Sequence, residues 1–319
     1  MIDVSNQPLD IEEIRRWLID HKAQQGWAWG KVAEAVDVPT GTISQFGSPK
    51  GYAGDENKIA EKVARYRQFY DDQQQITHEV PEVPGYFESE TSGELTGLLR
   101  YGHSGEIVVA AMGPGTSKTT TANQYAACYP NTFVITMSPA TKKPVTMMQE
   151  TLAVLGETGA TGSPYKLASR IKTRLRTMSK PLFIYDEAQH MMVETIEEVR
   201  SWHDTLGLGL AFLGNIGVLQ RMEGGGRNDA FAQIFSRVSM RMIRDVPLLG
   251  DVDKLADAWK VYDEEAIEAL RKIVMIPGGM RNGTKALKLA ALLAGKGDKI
   301  SAGNLANAWS QLSARRIGA

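Results

Sequence analysis

Cysteine is almost missing from this chain of 319 residues: Cys128 is the only one. That excludes an internal disulfide and a Cys-rich zinc site, and it suits a reducing cytoplasm. No run of about 18 apolar residues occurs, so neither a membrane span nor a membrane partner is expected. The opening Met1–Asp10 is mixed and acidic, unlike a signal peptide. An excess of charge is lacking too. With 36 Lys+Arg against 37 Asp+Glu the net charge is −1, so any grip on nucleic acid must come from local patches. The five histidines, His21, His78, His103, His190 and His203, are scattered without metal-ligand spacing and read as structural or surface residues. No segment repeats.

What remains is an ordinary globular composition, 43% hydrophobic and 23% charged, with a length that suggests two domains. Residues 9 to about 70 read as helices. The stretch after Asp71-Asp72-Gln73-Gln74-Gln75, with Pro81 and Pro84-Gly85, loses periodicity and reads as a linker. Four apolar runs then alternate with helical stretches: Ile107–Ala111, Thr132–Thr136, Leu182–Tyr185 and Leu208–Leu213. Such alternation predicts an α/β fold, a parallel sheet with helices on both faces. After Asp251 the pattern is all helical. The divisions expected are an all-α domain over 1–72, a linker over 73–92, an α/β core over 93–247 and a helical lid over 248–319.

Between the first strand and its helix lies Met112-Gly113-Pro114-Gly115-Thr116-Ser117-Lys118-Thr119-Thr120. Backbone N–H groups of a turn at a helix N-terminus can cradle phosphates, so Gly113, Gly115, Thr116, Ser117 and Thr120 are candidate nucleotide contacts, with Pro114, which has no N–H, a candidate as part of the same turn. Lys118 would reach the β and γ phosphates of ATP, and the Thr119 hydroxyl would hold Mg²⁺. The P-loop pattern wants glycine at 112 and 117, where this chain has methionine and serine.

The third strand ends in Asp186-Glu187, two carboxylates at the carboxyl edge of the sheet. Asp186 is the second candidate Mg²⁺ ligand, and Glu187 the group that orients and polarises the attacking water. Both could instead be helix-capping acids. Asn215 follows the fourth strand, Arg237 and Arg241 follow Phe231-Ala232-Gln233-Ile234-Phe235-Ser236, and Arg281 opens a lid helix after Pro277-Gly278-Gly279. The bland alternatives are a turn asparagine, helix-end cations and a surface arginine.

Two regions are candidates for DNA contact. Residues 29–35 and 40–46, broken by Val36-Asp37-Val38-Pro39, form a helix-turn-helix pattern with Thr40 as a plausible N-cap. Thr42, Ser44, Gln45 and Lys50 could meet a DNA backbone or groove. Residues 1–75, however, carry nine basic against twelve acidic side chains, a net −3, which favours a protein-docking role or weak DNA contact. The second region is Lys166–Arg176, uninterrupted by acid, where Lys166, Arg170 and Arg174 share one helix face and Lys172 and Arg176 a second stripe. Lys142 and Lys143 could extend the patch, which reads equally as a solvated charged face.

These pieces resemble the AAA+ ATPases, and in their order along the chain the target-DNA ATPases of Mu-like transposing phages (the MuB family), with TnsC and IstB more distant. The matching residues are Thr40–Ser44, Gly115 with Lys118-Thr119, Asp186-Glu187-Ala188, Gly214-Asn215, Phe235-Ser236-Arg237, and Pro277-Gly278 with Arg281. The resemblance implies sensor roles for Asn215 and Arg281. It implies an arginine finger, Arg237 with Arg241 as the alternative, that completes a neighbouring subunit's site. It also implies a slow, DNA-stimulated ATPase in the bacterial host cytoplasm. Such a protein polymerises as a helical filament on double-stranded DNA without strong sequence preference, captures target and activates a transposase. The alternatives are another AAA+ replication factor, such as a helicase loader or initiator, or a nucleotide-bound DNA-binding regulator that does not hydrolyse.

Overall fold

The computed structural model describes residues 9–79, 81, 83–218, 236–295 and 297–313, with the backbone alone over 72–79. The chain divides into two compact units, Met1–Val80 and Pro81–Ala319.

The first unit is all helical. Asp10 caps α1 (Ile11–Gln24) by accepting the N–H groups of Glu12 and Glu13. Next come α2 (Trp29–Val36), α3 (Thr40–Phe46) and α4 (Glu56–Glu79). Asp37 ends α2 in the left-handed region (φ 56°), a conformation aspartate tolerates, and the chain turns into α3. Leu18, Val32, Ile43, Phe46 and Val63 meet in the core, so the helix-turn-helix is held by α1 and α4. Two expectations are corrected. Thr40 is the first helical residue rather than the cap: Pro39 holds that place, accepting the N–H of Ile43 through its carbonyl. And α4 runs to Glu79, past the expected linker start at residue 73, because nothing before Pro81 breaks a helix.

The second unit opens with α5 (Glu90–His103), capped by a reciprocal Ser89–Ser92 pair, so the non-helical stretch before it is shorter than the expected 73–92. Then follow β1 (Ile107–Met112), α6 (Lys118–Cys128), β2 (Thr132–Thr136), α7 (Pro144–Val154), α8 (Pro164–Leu175), β3 (Leu182–Asp186), α9 (Val193–Leu206) and β4 (Gly209–Gly214). β5 (Val238–Arg244) completes an all-parallel sheet in the order β2-β3-β4-β1-β5. Successive strand residues point to opposite faces. On β1, Ile107, Val109 and Ala111 enter one core with α7, α8 and α9. Val108, Ala110 and Met112 enter the other, with Leu95 and Leu99 of α5 and Ala122 and Tyr125 of α6.

Sequence periodicity located four of these strands and missed β5, whose outer position leaves Ser239, Met240 and Arg241 exposed. An edge strand need not be apolar, and Arg241 within it read as a helix-end cation.

The lid consists of α10 (Leu249–Ala258), α11 (Glu264–Val274), α12 (Gly279–Ala294) and α13 (Ala302–Ser313), packed around Leu255, Leu270, Leu287 and Leu305. The buried Asp251 ties the lid to α5. Its carboxylate accepts the Thr91 N–H (2.9 Å) and hydroxyl (2.5 Å) and the Leu248 N–H (2.8 Å). Among the described residues, no helix is long and apolar enough to cross a membrane.

Candidate nucleotide site

Parallel strands carry their loops to one edge of the sheet, and there a cleft of about 590 Å³ opens between the β1–α6 loop and α12. It is lined by Pro114 through Thr120, by Glu187, by Met280, Arg281, Thr284 and Lys285 of the lid, and by Pro84 to Phe87. Of the sequence candidates, Pro114, Gly115, Thr116, Ser117, Lys118, Thr119, Thr120, Glu187 and Arg281 are therefore brought together.

The loop is shaped by its neighbours. Gly113 lies against Asp245, whose carbonyl oxygen stands 1.9 Å from where a Cβ would be. Gly115 (φ 74°) lies equally close to the Gly278 carbonyl, so the lid's Gly278-Gly279 turn sits directly on the phosphate loop. Ser117 takes the left-handed conformation (φ 64°) that the missing glycine would adopt without strain. Met112, the other departure, is fully buried among the side chains beneath the sheet, and its thioether does not line the cleft.

Lys118 starts α6 and is nearly buried. Its ammonium donates to the carbonyls of Met112 and Gly113, both at 2.8 Å. Burial pushes its pKa down, and the carboxylates of Glu187 and Asp186 oppose that shift. The Thr119 hydroxyl donates to Asp186 Oδ2 at 2.5 Å. Burial raises the Asp186 pKa, against the hydrogen bonds from Thr119 and from the Glu187 N–H. The hydroxyl and carboxylate thus form a small oxygen cluster under the loop, which suits Mg²⁺ completed by phosphate oxygens and water. No group of three or more His, Cys, Asp or Glu among the described residues could hold a metal by itself.

Glu187 also has left-handed backbone (φ 55°), which turns the chain out of β3. Its carboxylate accepts the Gln189 side-chain amide, and Gln189 Oε1 accepts the Asn215 N–H at 3.3 Å. The Asn215 side chain itself accepts the Gly217 N–H at 2.9 Å.

Arg237 does not join this cleft. β5 runs parallel to β1, pairing Val238 with Ile107 and Arg244 with Met112, so Arg237 lies at the sheet edge away from the loop. It forms an ion pair with Asp204 at 3.3 Å. Arg241 lies midway along β5 and is exposed. Residues 231–235, read with the finger, lie outside the described residues.

The basic face of α8 is also less open than its sequence suggests. Glu157, from the loop before α8, pairs with both Arg170 and Arg174, the latter at 3.0 Å. These arginines donate as well to the carbonyls of Thr161 (3.1 Å) and Leu155 (2.6 Å). The acid missing from the helix is supplied across space, and the two side chains fasten the loop. Lys142, Lys143, Lys166 and Arg176 are exposed, and Lys172 is half-buried. In the first unit Gln45 and Lys50 are exposed, Thr42 and Ser44 are half-buried, and Ser44 donates to the Gly41 carbonyl.

Sequence reasoning missed the Pro84–Phe87 wall, Thr284, Lys285 and Gln189. Tyr86-Phe87 was the available signal, an aromatic pair inside a stretch otherwise read as linker.

Two family models match the chain: an AAA domain over residues 104–222 and the Mu B transposition protein C-terminal model over 236–312. The chain is 30% identical over 306 residues to the ATP-dependent target DNA activator B of Escherichia phage Mu, covering 95% of this chain and 96% of that protein. The counterpart from Escherichia phage D108 gives the same identity and coverage. The Mu-like prophage FluMu DNA transposition protein B of Haemophilus influenzae is 26% identical over 274 residues, with 85% and 92% covered. Among solved structures, NtrX from Brucella abortus in complex with ATP is similar with a TM-score of 0.46 at 14% identity. That match covers 84% of this chain and 63% of NtrX, less than two thirds of its length.

Proposed function

The chain belongs to the Mu B family of phage DNA-transposition proteins, and on that premise we propose that it is an ATP-hydrolysing activator of target DNA for a transposase. The observation that carries the reading is the cluster under the phosphate loop: a nearly buried Lys118 bonded to loop carbonyls, and Thr119 bonded to Asp186. This is a charge arrangement built for a triphosphate with a hard cation. Lys118 exchanges its carbonyl contacts for the β and γ phosphates, and the loop N–H groups take the remaining phosphate oxygens. Thr119 and Asp186 would hold Mg²⁺, which would supply positive charge to offset that on the phosphates. Glu187, on the cleft wall, takes the proton of the attacking water. Arg281, with Lys285 one turn along α12, faces the phosphates from the lid.

A permanently cationic arginine at the sheet edge away from its own loop suits a neighbour's site, so Arg237, released from Asp204, serves as the finger, with Arg241 the alternative. Sites completed by a neighbour make assembly depend on nucleotide, and the product is a filament along duplex DNA. DNA is held through phosphate contacts, chiefly by Lys142, Lys143, Lys166, Lys172 and Arg176, with Arg170 and Arg174 available once Glu157 lets go. Thr42, Ser44, Gln45 and Lys50 of the helix-turn-helix add weak contacts.

Lys118→Ala tests the whole reading. It is expected to abolish ATP binding and, by electron microscopy with ATP and duplex DNA, filament formation. Intact filaments from this variant overturn the assignment.

A further inference from the structure

The Gln189 side chain bridges Glu187, which follows β3, and the main chain of Asn215, which follows β4. We propose that Gln189 is a positioning residue for ATP hydrolysis, fixing the Glu187 carboxylate to the main chain just past the end of β4; the proposal rests on the hydrolytic reading of the site.

The amide nitrogen of Gln189 donates to Glu187 Oε2, and its oxygen accepts the Asn215 N–H at 3.3 Å. The two contacts fix the amide's orientation. Reversed, its oxygen would face a carboxylate oxygen and its NH₂ a backbone N–H, both repulsive. A primary amide supplies a donor and an acceptor from one planar group. A glutamate there could not donate and would add a second negative charge, and a leucine could do neither.

The surroundings are cut to fit this amide. A Cβ at residue 214 would lie 2.3 Å from Gln189 Oε1 and 2.3 Å from Val218 Cγ2, so the amide has room only because β4 ends in glycine. The Asn215 side chain is turned aside to the Gly217 N–H, so the link to the residue that follows β4 runs through the main chain. Glu187 needs such a hold. Its φ of 55° is costly for a residue with a Cβ, and its N–H is engaged by Asp186. Glu187 lines the cleft, so with one carboxylate oxygen held by Gln189 the other is left to act on a water bound there. A fixed general base acts on the chemical step and leaves ground-state nucleotide binding alone.

The test uses the full chain with duplex DNA and Mg²⁺-ATP, measuring phosphate release, nucleotide affinity by titration with a fluorescent ATP analogue, and the unfolding temperature. Gln189→Leu is expected to lower kcat about 10- to 100-fold, a part of the roughly 100- to 10,000-fold that a general base contributes, with nucleotide Kd changed less than about twofold. Gln189→Glu should fall as far. Gly214→Ala, which evicts the amide without touching it chemically, should reproduce the loss. The double variant should be no worse than either single one, since both break the same link. A kcat within twofold of the parent in Gln189→Leu, a loss confined to nucleotide affinity, or losses that multiply in the double variant would overturn the inference. A parent chain whose phosphate release matches that of Glu187→Gln would instead overturn the hydrolytic reading itself, and this proposal with it.

Discussion

The N–H of Met280 donates to the carbonyl of Gly115 at 2.9 Å, so the lid helix is hydrogen-bonded directly to the phosphate loop. On the lid side Gly279 takes φ 55°, and a Cβ there would lie 2.7 Å from the Gly115 oxygen. Gly115→Ala adds a methyl group 1.9 Å from the Gly278 carbonyl at a φ that disfavours any Cβ. This variant should weaken ATP binding by at least about tenfold, roughly 1.4 kcal/mol. A fluorescent-nucleotide titration decides it, and unchanged affinity would show that the lid docks elsewhere when nucleotide binds.

Asp251 is expected to matter for stability without touching nucleotide. Truncation in Asp251→Ala leaves the N–H groups of Thr91 and Leu248 without their acceptor. An unsatisfied buried donor costs about 1–3 kcal/mol, so a total of about 3 kcal/mol is expected. For a unit of this size that is a fall of roughly 6–12 °C in Tm. Scanning calorimetry measures it, and a shift under about 2 °C contradicts the assignment of Asp251 as the tie between α5 and the lid.

The first unit should soften in acid. His21 is almost fully buried, stacked on Trp17 with ring centroids 4.8 Å apart and bonded to the Tyr66 hydroxyl at 3.1 Å. Burial pushes its pKa below the ordinary 6.5, with Asp71 pulling the other way. The unfolded chain therefore binds the proton more readily. The stabilising contribution is complete above pH 6.5 and is lost as pH falls through the lowered folded value. Amide exchange in α1 and α4 should speed up over that interval, and His21→Gln should flatten the dependence. An unchanged slope in the variant would assign the effect to another group.

The ion pairs of Glu157 give a test of the proposed DNA contact through α8. Glu157→Gln removes the charge that engages Arg170 and Arg174. DNA affinity is expected to rise about two- to tenfold, with a steeper loss on adding salt as more phosphates are contacted. Affinity and salt slope equal to the parent's would place DNA away from α8.

Much of this architecture could be read from residue order alone. Buried strands announce themselves as apolar runs, which is why Ile107–Ala111 and Leu182–Tyr185 pointed to β1 and β3, each one residue short of the observed strand. Lys118, Thr119 and Glu187 follow from position after such strands. β5 escaped because an edge strand is solvated and its arginines lack alternation. The pairing of Arg170 and Arg174 with Glu157 was invisible because it joins a helix to a loop more than ten residues away. Gln189 escaped for a different reason. Its meaning lies in two hydrogen bonds, one of them to a residue 26 positions along the chain.

The wall formed by Pro84, Gly85, Tyr86 and Phe87 bears on how the molecule can be taken apart. Phe87 packs on the lid's core, so these residues are masonry of the second unit rather than a slack tether ahead of it. A fragment trimmed to start at residue 93 would forfeit one side of its own binding chamber and the first turn of α5, whereas one starting at Pro81 keeps both. A poorly binding short fragment would then report on where the scissors fell, not on what the intact protein does.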